Sequence, residues 1–451
     1  MIAALSMGLG VAAPVHAGPP GTWTRLSEGS GSNTDQVALA RGLDNALNAV
    51  WLAKTGSTKG YRHARVAPNG SLVAGPVAVL DGWSTLNNPA LVVGPDGSLR
   101  LLFAGLTAAP FSSGRATSAT TPPGGSSWTF TRALHTDAVG VNESSHSFGA
   151  ATKLDGTPVF SWSANVKLGL DPTPELDLME GCCAYDSDVA VDAVSGEVVV
   201  GWYSNVAGQY GYLTRTVDPA LGETRYAPSS ARADRKAGLN PGQRTALTAR
   251  HGAPGVYIAY CTGTGYPFCQ TVSVWRHGGG SPLVVARAKS RTSSVAAHVA
   301  IAPGPDGRLW VMWERKSQRV YATRSNRAAT KFGAVVEVNP PAGTRTIWKV
   351  AGDGALGPLD LVASASTPGS LAFWHTQVLP GLSLACRGGS VVSCTVSDAG
   401  DPVRGARVRI GGRTLTTNAR GKASADLPAG SYRAAAAKAG YTSASASVRA
   451  T

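Results

Sequence analysis

The sequence predicts an all-β chain: a seven-bladed propeller, with six blades as the alternative count, followed by a small β-sandwich. Three observations predict it. First, a turn residue is followed six positions later by an aromatic: Gly97 by Phe103, Gly156 by Trp162, Gly196 by Trp202 and Gly307 by Trp313. Asn45 leads to Trp51 in the same way, asparagine being the other residue that tolerates left-handed backbone. Pro254-Gly255 leads to Tyr260, and Gly357 opens a weaker copy ending in Ala363. Second, the copies recur every ~40–60 residues, the period of propeller blades. Third, the 451 residues include 55 glycines and 28 prolines but only 15% charged residues, and no stretch keeps a helical period.

Each copy has a local reading. An apolar alternation such as Pro89–Val93 or His298–Ala302 precedes the turn, which is twice Pro-Asp-Gly. A second alternation follows, as in Gly307–Trp313. Two period-two runs around a short glycine turn make a β-hairpin. One hairpin cannot bury both faces. Radial repetition stacks sheet on sheet, which is the propeller solution. A string of ~100-residue sandwiches is the competing architecture.

Ahead of the blades, residues 2–15 are apolar or small, and Val15-His16-Ala17 precedes Gly18 like a cleavage site. Residues 1–17 therefore read as a secretory signal without its usual basic start. No later run reaches the ~18 apolar residues of a membrane span. The expectation is a secreted, monomeric protein. The propeller is assigned to 18–381, with inner strands starting near residues 36, 88, 147, 187, 244, 295 and 347. The last blade lacks an outer strand after Leu371–His375, and Gly21–Leu26 is expected to supply it, closing the ring.

Six cysteines fit an oxidising compartment. Cys261 and Cys269 flank one short loop and Cys386 and Cys394 another, so both pairs are expected as disulfides. Cys182 and Cys183 are adjacent and read either as a strained vicinal disulfide or as two buried thiols.

Two segments carry a family likeness. Thr121-Pro122-Pro123-Gly124-Gly125-Ser126-Ser127-Trp128 resembles the Asp-box of sialidase-type propellers, with Pro123 in place of the aspartate, and Ser325–Phe332 is a weaker copy. The resemblance covers roughly residues 20–381 and implies the fold, with the box as a rim stabiliser. Its chemistry needs three arginines, a Tyr-Glu pair and an Asp. Arg244 and Arg345 match two arginines, but Thr34-Asp35-Gln36-Val37 stands where the first is required. No Tyr-Glu pair is evident, and Glu314 is expected at the rim.

From residue 382 to 451 the text changes. Pro402-Val403-Arg404-Gly405-Ala406, Gly421-Lys422-Ala423, Gly430-Ser431-Tyr432 and Ala439-Gly440-Tyr441 resemble the carboxypeptidase regulatory-like, prealbumin-like sandwich, an Ig-like spacer module. Ala434–Ala437 reads as strand. The chain carries a net charge of +14, and this tail holds ten Lys/Arg against three Asp/Glu. A basic exported surface is expected to meet anionic wall polymers or acidic glycans before nucleic acid.

Residues just before the inner strands converge on one end of a propeller channel. Asp35, Asn88, His146, Tyr185, Asp186, Asp188, Arg244 and Arg345 are the candidate ligand-binding residues. Such a polar ring suits a sugar. No zinc spacing appears, and no cofactor is called; calcium at Asp186-x-Asp188 is the weaker alternative. The two Asn-x-Ser sequons at Asn69 and Asn142 carry little weight if the source is bacterial. The expected function is non-catalytic binding of a glycan or cell-surface polymer. A glycoside hydrolase using Asp186, Asp188 or His146, and a purely structural surface protein, are the alternatives.

Overall fold

The computed structural model describes residues 20–32, 35–106, 117–125, 127–133, 147–164, 167–171, 184–204, 210–230, 244–263, 269–290, 293–315 and 319–451. Among them there is no α-helix, and every named sheet strand pairs antiparallel. Seven sheets follow one another in chain order. Their first strands are Val37–Arg41, Ala90–Val93, Gly149–Thr152, Ala184–Val191, Ala246–Ala249, His298–Pro303 and Thr346–Asp353. Each first strand lies against the next, and the seventh returns to the first.

The core is divided into wedges between neighbouring sheets, and period two explains the division. In the strand Leu47–Thr55 of sheet one, Val50 and Leu52 pack with Leu91, Leu101 and Phe103 of sheet two. Their neighbours Leu47, Ala49 and Trp51 point the other way and pack with Val362, Leu371 and Phe373 of sheet seven. The same division recurs in five further wedges. The aromatics of the sequence repeat are their anchors: Trp51, Phe103, Trp162, Trp202, Tyr260 and Trp313 are all buried. Truncating such an anchor typically costs about 3–5 kcal/mol.

The turn residues are explained by backbone and neighbour together. Asn45 is left-handed at φ 64°, as is Gly156 at φ 86°. Gly156 also lies beneath the turn of the preceding sheet, where an added methyl would stand 2.8 Å from Pro95 Cγ. The repeat therefore encodes packing between sheets as well as the turn.

Sheet seven is closed by the strand Thr24–Glu28, which pairs with Ser370–Val378 in the register Thr24 to His375 and Glu28 to Ala372. Leu26 is buried in the wedge shared by sheets seven and one, and Trp23 Nε1 donates to Asn339 O at 2.6 Å. The two Asp-box-like segments are held by local contacts. Ser325 bridges Phe332, with Asn326 Oδ1 accepting the Thr330 N–H, and Trp128 sits edge-on to His63 at 5.6 Å.

The tail is two four-stranded sheets around one core of its own. Gly430–Ala437 is a strand whose alanines alternate between buried and exposed. Disulfides join Cys261 to Cys269 and Cys386 to Cys394; Cys182 and Cys183 lie outside the described residues. The tail is joined to sheet six by buried charge. Arg324 pairs with Asp398, and Arg308 pairs with Asp401 at 2.5 Å and Asp398 at 3.6 Å. Gly381 bridges Ala334 on one side and Thr442 on the other.

Candidate functional site

One residue ties the sheets together where the inner strands begin. Gln36 donates through Nε2 to Ser147 Oγ at 2.8 Å and accepts the Arg244 N–H on Oε1 at 2.9 Å. Its own N–H donates to Asn88 Oδ1 at 2.8 Å, and Asn88 forms a parallel bridge with Ser147. Sheet one is thus tied to sheets two, three and five around the axis. Just beneath lies a cavity of about 150 Å³, lined by Gln36, Asp188, Arg244, His298 and Lys349 among apolar residues of the inner strands. It adjoins spaces of about 550 and 680 Å³ that run to the turns at Gly94, Gly156 and Gly252. Among the described residues the channel is narrow at the strand starts and wide at the turns.

Two β-bulges set the charged groups. The pairing of sheet four skips between Tyr185 and Asp188, and Asp186 takes a left-handed φ of 54°. The pairing of sheet seven skips between Ile347 and Lys349. A bulge re-aims the side chains that follow it, so strict alternation fails at both places. Asp186 is buried, hydrogen-bonded by Ser147 through backbone and side chain, while its Oδ1 has no partner. Burial pushes its carboxyl up to about 8, against the pull of Lys349, the Ser147 bonds and Arg244. Asp188 is pushed up to about 7 by burial, against Arg244 and the backbone N–H groups of Val189 and Leu247. Burial holds Lys349 down to about 8 although Asp186, Glu314 and Asp35 all favour its charge. Burial likewise lowers Arg244, opposed by Asp188 and Asp186. Each shift is the cost of charge in a poorly hydrated site, relieved only in part by neighbours.

Arg244 Nη2 donates to Pro89 O at 2.5 Å, and its buried Nε has no partner. Among the described residues no carboxylate ion-pairs with it within 4.0 Å. Behind Lys349 runs a chain. Lys349 Nζ lies 3.0 Å from His298 Nε2, and His298 Nδ1 lies 2.5 Å from Glu314 Oε1. Glu314, expected at the rim, is instead fully buried. It stands directly opposite His298 in the register of sheet six, which turns it inward.

The structure brings Asp186, Asp188 and Arg244 together and adds His298, Glu314 and Lys349, which the strand-start positions missed. One signal for Lys349 was present: a charge flanked on both sides by the apolar pairs Ile347-Trp348 and Val350-Ala351 of an inner strand. Of the remaining candidates, Asp35, Asn88 and Arg345 do not line the cavity. Asp35 is buried against its own turn, accepting Ser30 N–H at 2.8 Å and Ser30 Oγ–H at 2.7 Å. Asn88 serves the Gln36 link. Arg345 is exposed just before the strand Thr346–Asp353, its N–H donating to Ser366 O. Tyr185 is described only by its backbone, which pairs with Tyr203. His146 lies outside the described residues. Among the described residues no group of three or more His, Cys, Asp and Glu could hold a metal ion, and no helix is long and apolar enough to cross a membrane.

No protein-family model and no curated protein matches the chain. Among solved structures, it is similar to a protein of unknown function from Dyadobacter fermentans, at 10% identity and a TM-score of 0.46, over 79% of this chain and 98% of that one. It is also similar to a PL25 ulvan lyase, at 9% identity and 0.45, over 78% and 95%. The SapL1 lectin matches at 12% identity and 0.36, over 77% and 97%. Likenesses at these values carry no argument; the architecture rests on the sheets and wedges above.

Proposed function

We propose that the chain is an exported, seven-bladed propeller with a prealbumin-like sandwich, and that its axial cavity binds the end of a glycan without catalysis. The ring of seven wedges supports the blade count. The two four-stranded sheets around one core support the sandwich. The apolar residues 2–15 and the two disulfides support export. One observation carries the binding reading. An amide, a carboxyl, a guanidinium, an ammonium and an imidazole converge on the narrow end of an apolar channel, with Arg244 Nε left as a donor without a protein partner. Convergent polar groups on an apolar wall are what a sugar's hydroxyls and ring faces require.

A glycan array probed with the purified protein tests the reading. Arg244→Gln and Asp188→Asn are expected to weaken each hit about tenfold or more, since an unmet polar partner in such a site costs about 1–3 kcal/mol. Absence of any hit, or hits that both variants retain at wild-type strength, overturns it.

One observation favours a hydrolase as the second reading: Asp188 lines the cavity with its carboxyl near neutrality, where general acids work best. Release of reducing ends from a polysaccharide panel, lost in Asp188→Asn, would replace binding by catalysis.

A further inference from the structure

The chain Glu314–His298–Lys349 reaches the cavity wall through its last two members, and its order is chemically specific. A buried carboxylate, Glu314, holds one nitrogen of His298. The other nitrogen faces the amine of Lys349, and both His298 and Lys349 line the cavity. Glu314 fixes the tautomer by accepting the Nδ1 proton, which leaves Nε2 as an acceptor for a proton from the amine. Carboxylate, imidazole and terminal nucleophile in series form the arrangement that activates side-chain nucleophiles.

We propose that Lys349 is a reactive amine that forms an imine with an aldehyde-bearing ligand entering the axial channel, such as the open-chain end of an aldose. His298 Nε2 takes a proton from the Lys349 ammonium. The freed nitrogen lone pair attacks the carbonyl carbon, a C–N bond forms, the C=O π pair moves to oxygen, and one of the two nitrogen protons passes to that oxygen. The carbinolamine then loses its hydroxyl and the remaining nitrogen proton as water, giving C=N. Asp188, on the same cavity and protonated below about 7, supplies the proton that the leaving hydroxyl needs; the proton shed by nitrogen replaces it. The net change is ammonium plus aldehyde to imine plus water, with the released proton held by His298 and no oxidant or reductant. The depressed basicity of Lys349 supports the role, since desolvated lysines are the ones that serve as Schiff-base amines. The groups that face this amine are Asp35, Asp186 and Glu314 as acids, with His298, Asp188 and Arg244 on the cavity wall. The proposal shares the cavity with the glycan reading, but trapping requires a free aldehyde and array binding does not, so either can fail alone.

The test is reductive trapping on the full-length protein. The protein is incubated near pH 7 with glycolaldehyde, small enough for the cavity, and cyanoborohydride; the label is then mapped by peptide mass spectrometry. Lys349 is expected to carry on the order of tenfold more label than exposed Lys54, Lys289 and Lys422, because a lysine's neutral fraction near pH 7 rises steeply as its pKa falls below the usual ~10.4. Labelling should fall as pH drops below about 8. It should also slow in Glu314→Gln and His298→Asn variants that keep the wild-type circular dichroism. Label confined to the exposed lysines, with Lys349 unmodified, overturns the proposal. So does Lys349 labelling that is indifferent to both variants. If neither variant folds, the wild-type map and its pH profile decide alone.

Discussion

Two regions of this molecule bury charge, and they do it in opposite ways. At the joint between sheet six and the tail, two arginines meet two aspartates. Arg308 and Arg324 converge on Asp398, and Asp401 accepts from both Arg308 and the Arg327 N–H. Arg308 also donates to Ser325 O, and Arg324 lies over the rings of Trp310 and Tyr441 at 5.6 Å each. Charge is balanced there, and each charged group has an ion-pair contact, although Arg324 Nε itself has no partner. Around the axis, the carboxyls of Asp186, Asp188 and Glu314 face Lys349 and Arg244. Acids outnumber bases, Asp186 Oδ1 and Arg244 Nε have no partner, and the pKa values are displaced toward neutral forms. A paired cluster holds domains together. An unbalanced one with open valences is where a ligand or a proton finds work.

The largest effect is expected at the joint. Asp398→Ala leaves two buried arginines without their shared carboxylate and should cost about 3–5 kcal/mol, the usual result of removing one partner of a buried pair. Denaturant unfolding of the full chain measures it. A loss below about 1 kcal/mol would mean that the joint is hydrated and that the contrast with the axis is false.

A smaller effect, visible only as a pH dependence, is expected at the axis. Asp186 and Asp188 have folded pKa values above their unfolded ones. Their contribution is therefore full below about pH 4 and lost as pH rises through about 7 and 8. Lys349 has a folded value below its unfolded one, so its contribution is present above about pH 10 and lost as pH falls through about 8. Asp186→Asn removes one of the two acidic titrations. It should flatten the fall in melting temperature between about pH 5 and 8. An unchanged slope would mean that Asp186 is already ionised and paired.

The smallest effect separates joint from tail. Residues 382–451 have their own core and the Cys386–Cys394 disulfide, so the isolated segment should fold. In that segment Asp398 has lost its arginines, and Asp398→Ala should change stability by no more than ~0.5 kcal/mol. A cost there equal to that in the full chain would locate the role of Asp398 inside the tail.

Much of the architecture was legible because period two and turn chemistry are local. The turn-to-aromatic spacing placed Trp51, Phe103, Trp162, Trp202, Tyr260 and Trp313 on second strands, and they are buried there. The missing outer strand of sheet seven pointed to the N-terminal segment, which pairs as expected. Two of the cysteine pairings followed from short loops. The candidate site was legible only in part. Asp186, Asp188 and Arg244 were found because strand starts converge on an axis. His298, Glu314 and Lys349 were not, since each lies within a strand rather than ahead of one.

The sequence by itself therefore determined the repeating hairpin pattern, the faces its residues present and the change of text after residue 381. Those properties are written in neighbours a few residues apart. Only the tertiary structure decided which charges meet. Gln36 reaches Ser147 and Arg244 across 111 and 208 positions of chain, and Lys349 reaches His298 across 51. Bulges at Asp186 and before Lys349 then broke the alternation from which side-chain direction would be inferred. Alternation fixes a face, whereas register, bulges and ring closure fix a partner, and those depend on how whole sheets pack.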